Sequence, residues 1–95
     1  MSTVTITGNF NDSSVNTLSL EVFQVGIGGY DFQKKYQGSF SETFSDLDAA
    51  SEYLVEFTGS TTGTFDLTID GDIPAGISKT YKGALFMDDI TLKTN

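Results

Sequence analysis

Few residue types in this 95-residue chain could do chemistry: 13 Asp and Glu, 5 basic groups that are all Lys, 4 Tyr, and many Ser and Thr. There is no Cys, His, Trp or Arg. Thiol nucleophiles, Ser–His triads, imidazole bases and Cys/His zinc sites are therefore excluded. Two carboxylates held about 5–10 Å apart across a cleft could hydrolyse a glycoside. A chain this short leaves little room for such a cleft, and no enzyme is expected.

The densest oxygen ligands are Asp66, Asp70 and Asp72, together with Asp88 and Asp89. Calcium takes about 6–8 oxygens, several from carboxylates. Asp70 and Asp72 flank Gly71 and could form part of such a site, with Asp88 and Asp89 as further candidate ligands. No cofactor is expected, calcium being the one this pattern would allow. The Asp-x-Asp-x-Asp-Gly loop and late Glu of an EF-hand are missing. The competing reading is a solvated turn and a polar strand face, with Asp66 and Asp70 guarding a sheet edge. Tyr30, Phe32, Tyr36 and Tyr81 fall in or beside loops. Tyr30, Tyr36 and Tyr81 are candidate ligand-binding residues, because exposed rings stack on sugars or anchor protein partners. Satellite core packing would place them equally well. The loop at residues 26–29 lacks the Gly-Lys-Ser/Thr of a phosphate cradle.

The net charge of −8 bears on partners. Phosphate backbones demand clustered Lys and Arg, so no direct nucleic-acid contact is expected. An anionic membrane would be repelled. A protein or glycan partner, or a basic one, fits better. No apolar run approaches the roughly 18–20 residues of a membrane-spanning helix, and no membrane insertion is expected. No cationic start followed by an apolar stretch marks a signal peptide. Without Cys there is no disulfide framework, so a hydrophobic core must hold the fold.

The elements that position these residues alternate in polarity, the signature of half-buried strands. Residues 3–7 place Val4 and Ile6 inward, followed by a polar loop at 9–16. Leu18, Leu20 and Val22 define one face of the next strand, but Phe23, Val25 and Ile27 take the other parity. The spacing predicts a central strand partly buried on both sides. Residues 30–32 suggest a short strand. Tyr36, Gly38, Phe40, Glu42 and Phe44 share a face. Residues 46–51 connect onward, with room for one helical turn. Tyr53, Val55 and Phe57 precede a hairpin loop at 59–63, and Phe65, Leu67 and Ile69 follow it. Residues 70–82 read as a long loop. The last strand covers about 83–93, with a bulge at Asp88 and Asp89 turning Leu85, Met87, Ile90 and Leu92 inward. No internal repeat and no linker stand out. The expected core is Val4, Ile6, Leu18, Leu20, Val22, Phe40, Phe44, Leu47, Tyr53, Val55, Phe57, Phe65, Leu67, Ile69, Phe86, Ile90 and Leu92.

The run at residues 38–47 (GSFSETFSDL), followed by YLVEF at 53–57, resembles the G-x-F-x-x-x-F-x-x-L … Y-x-V-x-F pattern of transthyretin-like sandwiches. These include carboxypeptidase regulatory-like domains and B-type repeats of bacterial adhesins. The resemblance spans about twenty residues and implies a structural or adhesive module without catalysis. The isopeptide crosslink of such repeats is not carried over, because the first Lys is Lys34 and the late Asn is Asn95. Residues 86–92 (FMDDITL) are similar to the closing strand of jelly-roll carbohydrate-binding modules.

The expected fold is one all-β domain over residues 1–95, an immunoglobulin-like or transthyretin-like sandwich of six to seven strands. The expected function is a non-catalytic structural or adhesive module of a surface, extracellular or virion assembly. The alternatives are a carbohydrate- or calcium-binding module and a small acidic inhibitor of the phage type. A monomer is favoured. Any self-association is expected to use residues 3–7, an uncharged strand near a terminus.

Overall fold

The computed structural model describes residues 1–12, 15–26 and 29–95. Among them there is no helix. The strands are β1 (Ser2–Phe10), β2 (Thr17–Gln24), β3 (Asp31–Tyr36), β4 (Phe40–Leu47), β5 (Glu52–Ser60), β6 (Thr64–Gly71), β7 (Ile77–Lys82) and β8 (Phe86–Lys93). They form two antiparallel sheets of four, ordered β4-β1-β6-β7 and β3-β2-β5-β8. The alternating apolar residues of each strand point between the sheets and make one core. Val4, Ile6, Val22, Val55, Phe65, Leu67 and Ile69 are all fully buried there. The molecule is thus a β-sandwich of eight strands, where six or seven are expected from the sequence.

The additional strand is β7, which the sequence hides inside a long loop. Its inward positions are Ile77, Lys79 and Tyr81, opposite Ile69, Leu67 and Phe65. A Lys in the middle of the apolar series breaks the pattern. It is tolerated because β7 is an edge strand, where a Lys stem lies along the open side with its ammonium in water. β3 carries Lys34 between Phe32 and Tyr36 in the same way. Tyr36 therefore belongs to β3, and the next strand starts at Phe40.

Other expectations need correction. β8 has no bulge: its pairing with β5 runs unbroken from Glu52–Lys93 to Gly59–Phe86. Asp88 takes the inward position between Phe86 and Ile90, while Leu85 and Met87 remain 71% and 70% exposed. The irregularity lies in β4, whose pairing with β1 slips between Ser2–Leu47 and Val4–Phe44. β2 is the interior strand the sequence suggests and pairs with β5 without a bulge; Leu18, Leu20 and Val22 are buried inward, Phe23 is half-buried on the outer face, and Val25, past the end of the strand, is exposed. Ile27 lies outside the described residues. The turn at 61–63 is no hairpin, since β5 and β6 belong to different sheets. Residues 48–51 cross between sheets without a helical turn, and Ala50 takes a left-handed φ of 50°. Phe40 is half-buried on its edge strand, whereas Phe10 and Ile73 join the core unforeseen.

β1 lies between β4 and β6, so its backbone is paired on both sides. Residues 3–7 therefore form no free edge to which a second chain could add, contrary to the expectation from the sequence. β6 is also interior, so Asp66 and Asp70 guard no edge.

The strand order reveals a repeat that the sequence obscures. Renumbering β1–β4 as β5–β8 converts one sheet into the other, read in reverse. VTITG at 4–8 then meets VEFTG at 55–59, and TLSLEV at 17–22 meets TFDLTI at 64–69. FQKKYQG at 32–38 meets ISKTYKG at 77–83, and FSETF at 40–44 meets FMDDI at 86–90. Pairings within each half match: Gly8 faces Phe40 as Gly59 faces Phe86, and Leu18 faces Tyr36 as Phe65 faces Tyr81. The two pairings between halves differ by two residues, Gly8 facing Leu67 but Gly59 facing Leu18. The symmetry is therefore approximate. Short, unequal loops mask it in the sequence.

Candidate functional site

The polar side chains that fall between the sheets sit at the two open sides of the sandwich, one per half. On the first side, β3 and β4 bring Lys34, Tyr36 and Glu42 together. Lys34 Nζ lies 2.9 Å from Glu42 Oε1 and 5.4 Å from the centre of the Tyr36 ring. The Tyr36 ring stacks on Phe40 at 3.9 Å. On the second side, β7 and β8 bring together Lys79, Tyr81 and Asp88, the equivalent residues. Tyr81 donates its hydroxyl proton to Asp88 Oδ2 at 2.6 Å, and Lys79 Nζ lies 3.8 Å from the same oxygen. The Tyr81 ring stacks on Phe86 at 5.6 Å and meets Phe57 edge-on. Each trio forms a clasp between strands of opposite sheets.

Aromatic rings fit here because a glycine makes room on the neighbouring strand. A Cβ at Gly8 would come within 2.3 Å of Phe40, and one at Gly59 within 2.4 Å of Phe86. Fixed rings then hold the hydroxyls at the carboxylates. Hydrogen bonding from Tyr81, aided by the Asp89 amide and Lys79, holds the Asp88 carboxyl below its ordinary value against burial. Lys34 does the same for Glu42, by hydrogen bond and by charge. Burial, and then the adjacent carboxylate, push both tyrosine hydroxyls well above the usual range. The Tyr36 hydroxyl faces Glu42 but falls outside hydrogen-bond geometry and is buried without a partner among the described residues.

Tyr36 and Tyr81 are thus half-buried parts of the framework. Tyr30 is half-buried too, edge-on to Tyr53 at 5.9 Å. Burial, with Asp46 nearby, pushes its hydroxyl upward. It lines an open hollow of about 470 Å³ with Glu21, Phe23 and Asp31.

The four candidate metal ligands do not converge. Asp72 lies at one end of the sandwich, where its Oδ2 accepts from the Thr3 amide at 2.8 Å and its carbonyl accepts from Asn95. Asp70 is exposed on the first sheet, opposite Thr5. Asp88 and Asp89 stand midway along β8 in the second sheet and point to opposite faces. Among the described residues no three carboxylates are close enough to share an ion.

A different acidic arrangement emerges from the register. Across the outer face of the second sheet, Gln33, Glu21, Glu56 and Asp89 lie side by side on β3, β2, β5 and β8. Partial burial, Asp31 and then Glu56 push the Glu21 carboxyl above its ordinary value, while the Gln33 side chain, donating at 3.0 Å, opposes them. Like charges directly opposite on neighbouring strands destabilise a sheet. These acids are scattered in sequence and form a row only through strand pairing. The opposite face carries hydroxyls, with Thr5 bonded to Thr43 and Thr7 to Ser41. Sequence reasoning missed Lys34, Glu42, Lys79, Glu21 and Glu56. For the clasps a signal exists: the spacing K-x-Y-x-G occurs at 34–38 and again at 79–83.

Comparison with known proteins finds no protein family, no curated protein and no solved structure that matches this chain.

Proposed function

We propose that this protein is a non-catalytic structural or adhesive β-sandwich module that serves a surface, extracellular or virion assembly. The observation that carries the reading is the pair of clasps. Lys34 with Glu42 at one open side, and Tyr81 and Lys79 with Asp88 at the other, join the sheets instead of converging on a cleft. Such a module contributes rigid, hydrogen-bonded surface to its assembly. The test coats beads with the protein and measures adhesion to immobilised glycans and matrix proteins, beside a screen for hydrolytic turnover. Specific adhesion without turnover supports the reading. Reproducible turnover lost on substitution of a carboxylate overturns it.

The row of Glu21, Glu56 and Asp89 favours one second reading, a small acidic protein that covers a basic site on a partner. Opposite charge would steer association and make it salt-dependent. Glu21→Gln with Glu56→Gln should then slow association with a basic partner, measured by surface plasmon resonance. Association rates indifferent to both ionic strength and these substitutions would remove this reading.

A further inference from the structure

We propose that the chain exchanges halves with a second copy of itself, β1–β4 of one molecule closing on β5–β8 of the other. The inference is independent of the proposed function. Each half is contiguous in sequence and internally paired, β1 with β4 and β2 with β3, then β5 with β8 and β6 with β7. The halves meet through two ladders, β1 with β6 and β2 with β5, and through the shared core. Separated, each half would keep its two stacked pairs but expose the open edges of two strands, β1 and β2 or β5 and β6, with the core between them, and such edges recruit another chain. The surface that each half presents is therefore built for the other half, and the same half on a second chain fits it equally well.

Only residues 48–51 connect the halves. This segment crosses between the sheets through Ala50 at φ 50°, a left-handed conformation that disfavours a side chain. Short hinges under strain invite exchange. The closed hinge is secured chiefly by Thr94. Its hydroxyl donates to the Asp48 carbonyl at 2.6 Å and accepts from the Ser51 amide at 2.9 Å. Ala50 also donates to the Asn95 carbonyl, and Asp48 to the Tyr53 hydroxyl. Opening the hinge gives up these bonds and the strained turn but preserves every ladder in exchanged form. The C-terminal Thr94 latch thus sets the balance between monomer and exchanged dimer.

The absence of cysteine allows a direct test. Thr7 of β1 faces Thr68 of β6 on the outer face of the first sheet. Facing residues of an antiparallel pair lie about 4.5–5.5 Å apart between Cα atoms, within disulfide reach. Chains carrying Thr7→Cys are mixed with chains carrying Thr68→Cys, unfolded together, refolded at high concentration and oxidised. Three backgrounds are compared: the natural hinge, the hinge lacking Ala49 and Ala50, and Thr94→Val. The double variant in a single chain controls for disulfide geometry. The expected result is a disulfide-linked dimer of twice the monomer mass with a strand-type circular dichroism spectrum. Its yield should rise severalfold from the natural hinge to Thr94→Val, and it should dominate when the hinge is shortened. If the shortened chain fails to fold, the Thr94→Val comparison decides. Closure in the control without cross-chain product in Thr94→Val overturns the proposal.

Discussion

Gly71 is the residue least open to change. Its φ of 127° belongs to glycine, and a Cβ there would come within 2.3 Å of the Thr3 carbonyl oxygen and 2.9 Å of the Val4 Cα. Neither is a flexible side-chain tip, so β1 itself would have to move. Gly59 and Gly8 have ordinary φ values but face buried rings, and at Gly59 the Thr17 carbonyl also stands 2.8 Å away. Overpacking of this kind costs about 1–3 kcal/mol. The expected order of destabilisation for Gly→Ala is Gly71, then Gly59, then Gly8, read from urea midpoints. Equal midpoints for all three would show that the close approaches are not felt. Tyr36 offers the opposite test. Its buried hydroxyl has no partner among the described residues, and such a group costs about 1–3 kcal/mol when desolvated. Tyr36→Phe keeps the stack on Phe40 and should leave the melting temperature unchanged or raise it. A clear fall would reveal a hydrogen bond to Glu42 in solution.

At the scale of elements, the strands meet charge in two ways that pH separates. Glu42 and Asp88 titrate below their ordinary 4.5 and 3.8 in the folded protein. The stability they contribute is present above those values and is lost as pH falls through the lower folded ones. Glu21 titrates above its ordinary 4.5, so its ionisation opposes folding, and that opposition is relieved on acidification. Lowering the pH from 7 should first raise the melting temperature slightly, then reduce it below about 4. Glu21→Gln should abolish the rise, and added salt should flatten it. A monotonic fall from pH 7 in the parent would contradict the in-register row. On the alkaline side, Tyr36 and Tyr81 titrate above 10.0. Ionising either hydroxyl opposes folding, so stability is unaffected below 10.0 and falls as pH rises through the folded values. Phenolate absorbance should accordingly lag behind that of free tyrosine until the protein unfolds.

The same elements show what was legible in the sequence. Interior strands β1, β5 and β6 read correctly because both their neighbours are strands, so inward positions must be apolar and outward ones polar. Edge strands β3, β7 and β8 misled, since an inward position at the rim is half open to water. Lys34, Lys79 and Asp88 occupy such positions and break the alternation that defines a strand. Those exceptions are the clasp residues, so the most informative polar groups lay where the pattern looked weakest. Asp88 and Asp89 suggested shared metal binding because they are adjacent, but adjacency in a strand sends side chains to opposite faces. The row of Glu21, Glu56 and Asp89 depends on register between distant strands and leaves no local trace.

At the scale of the whole molecule, the proposed structural role commits the groups resembling a site to joining two sheets. Millimolar calcium should therefore leave the melting temperature unmoved, whereas a specific ion at a hundredfold excess over its Kd would add about 2.7 kcal/mol. The second clasp gives the sharper test, because residues kept for function often reduce stability and residues kept for structure supply it. Tyr81→Phe and Asp88→Asn, singly and together, can be compared by urea unfolding. Each single change is expected to destabilise the protein. A favourable coupling of about 1.5–3 kcal/mol is expected between Tyr81 and Asp88, the worth of a hydrogen bond to a charged group. A single substitution that stabilises the protein, or a coupling of zero, would contradict the structural role and return Tyr81 and Asp88 to the list of candidate functional residues.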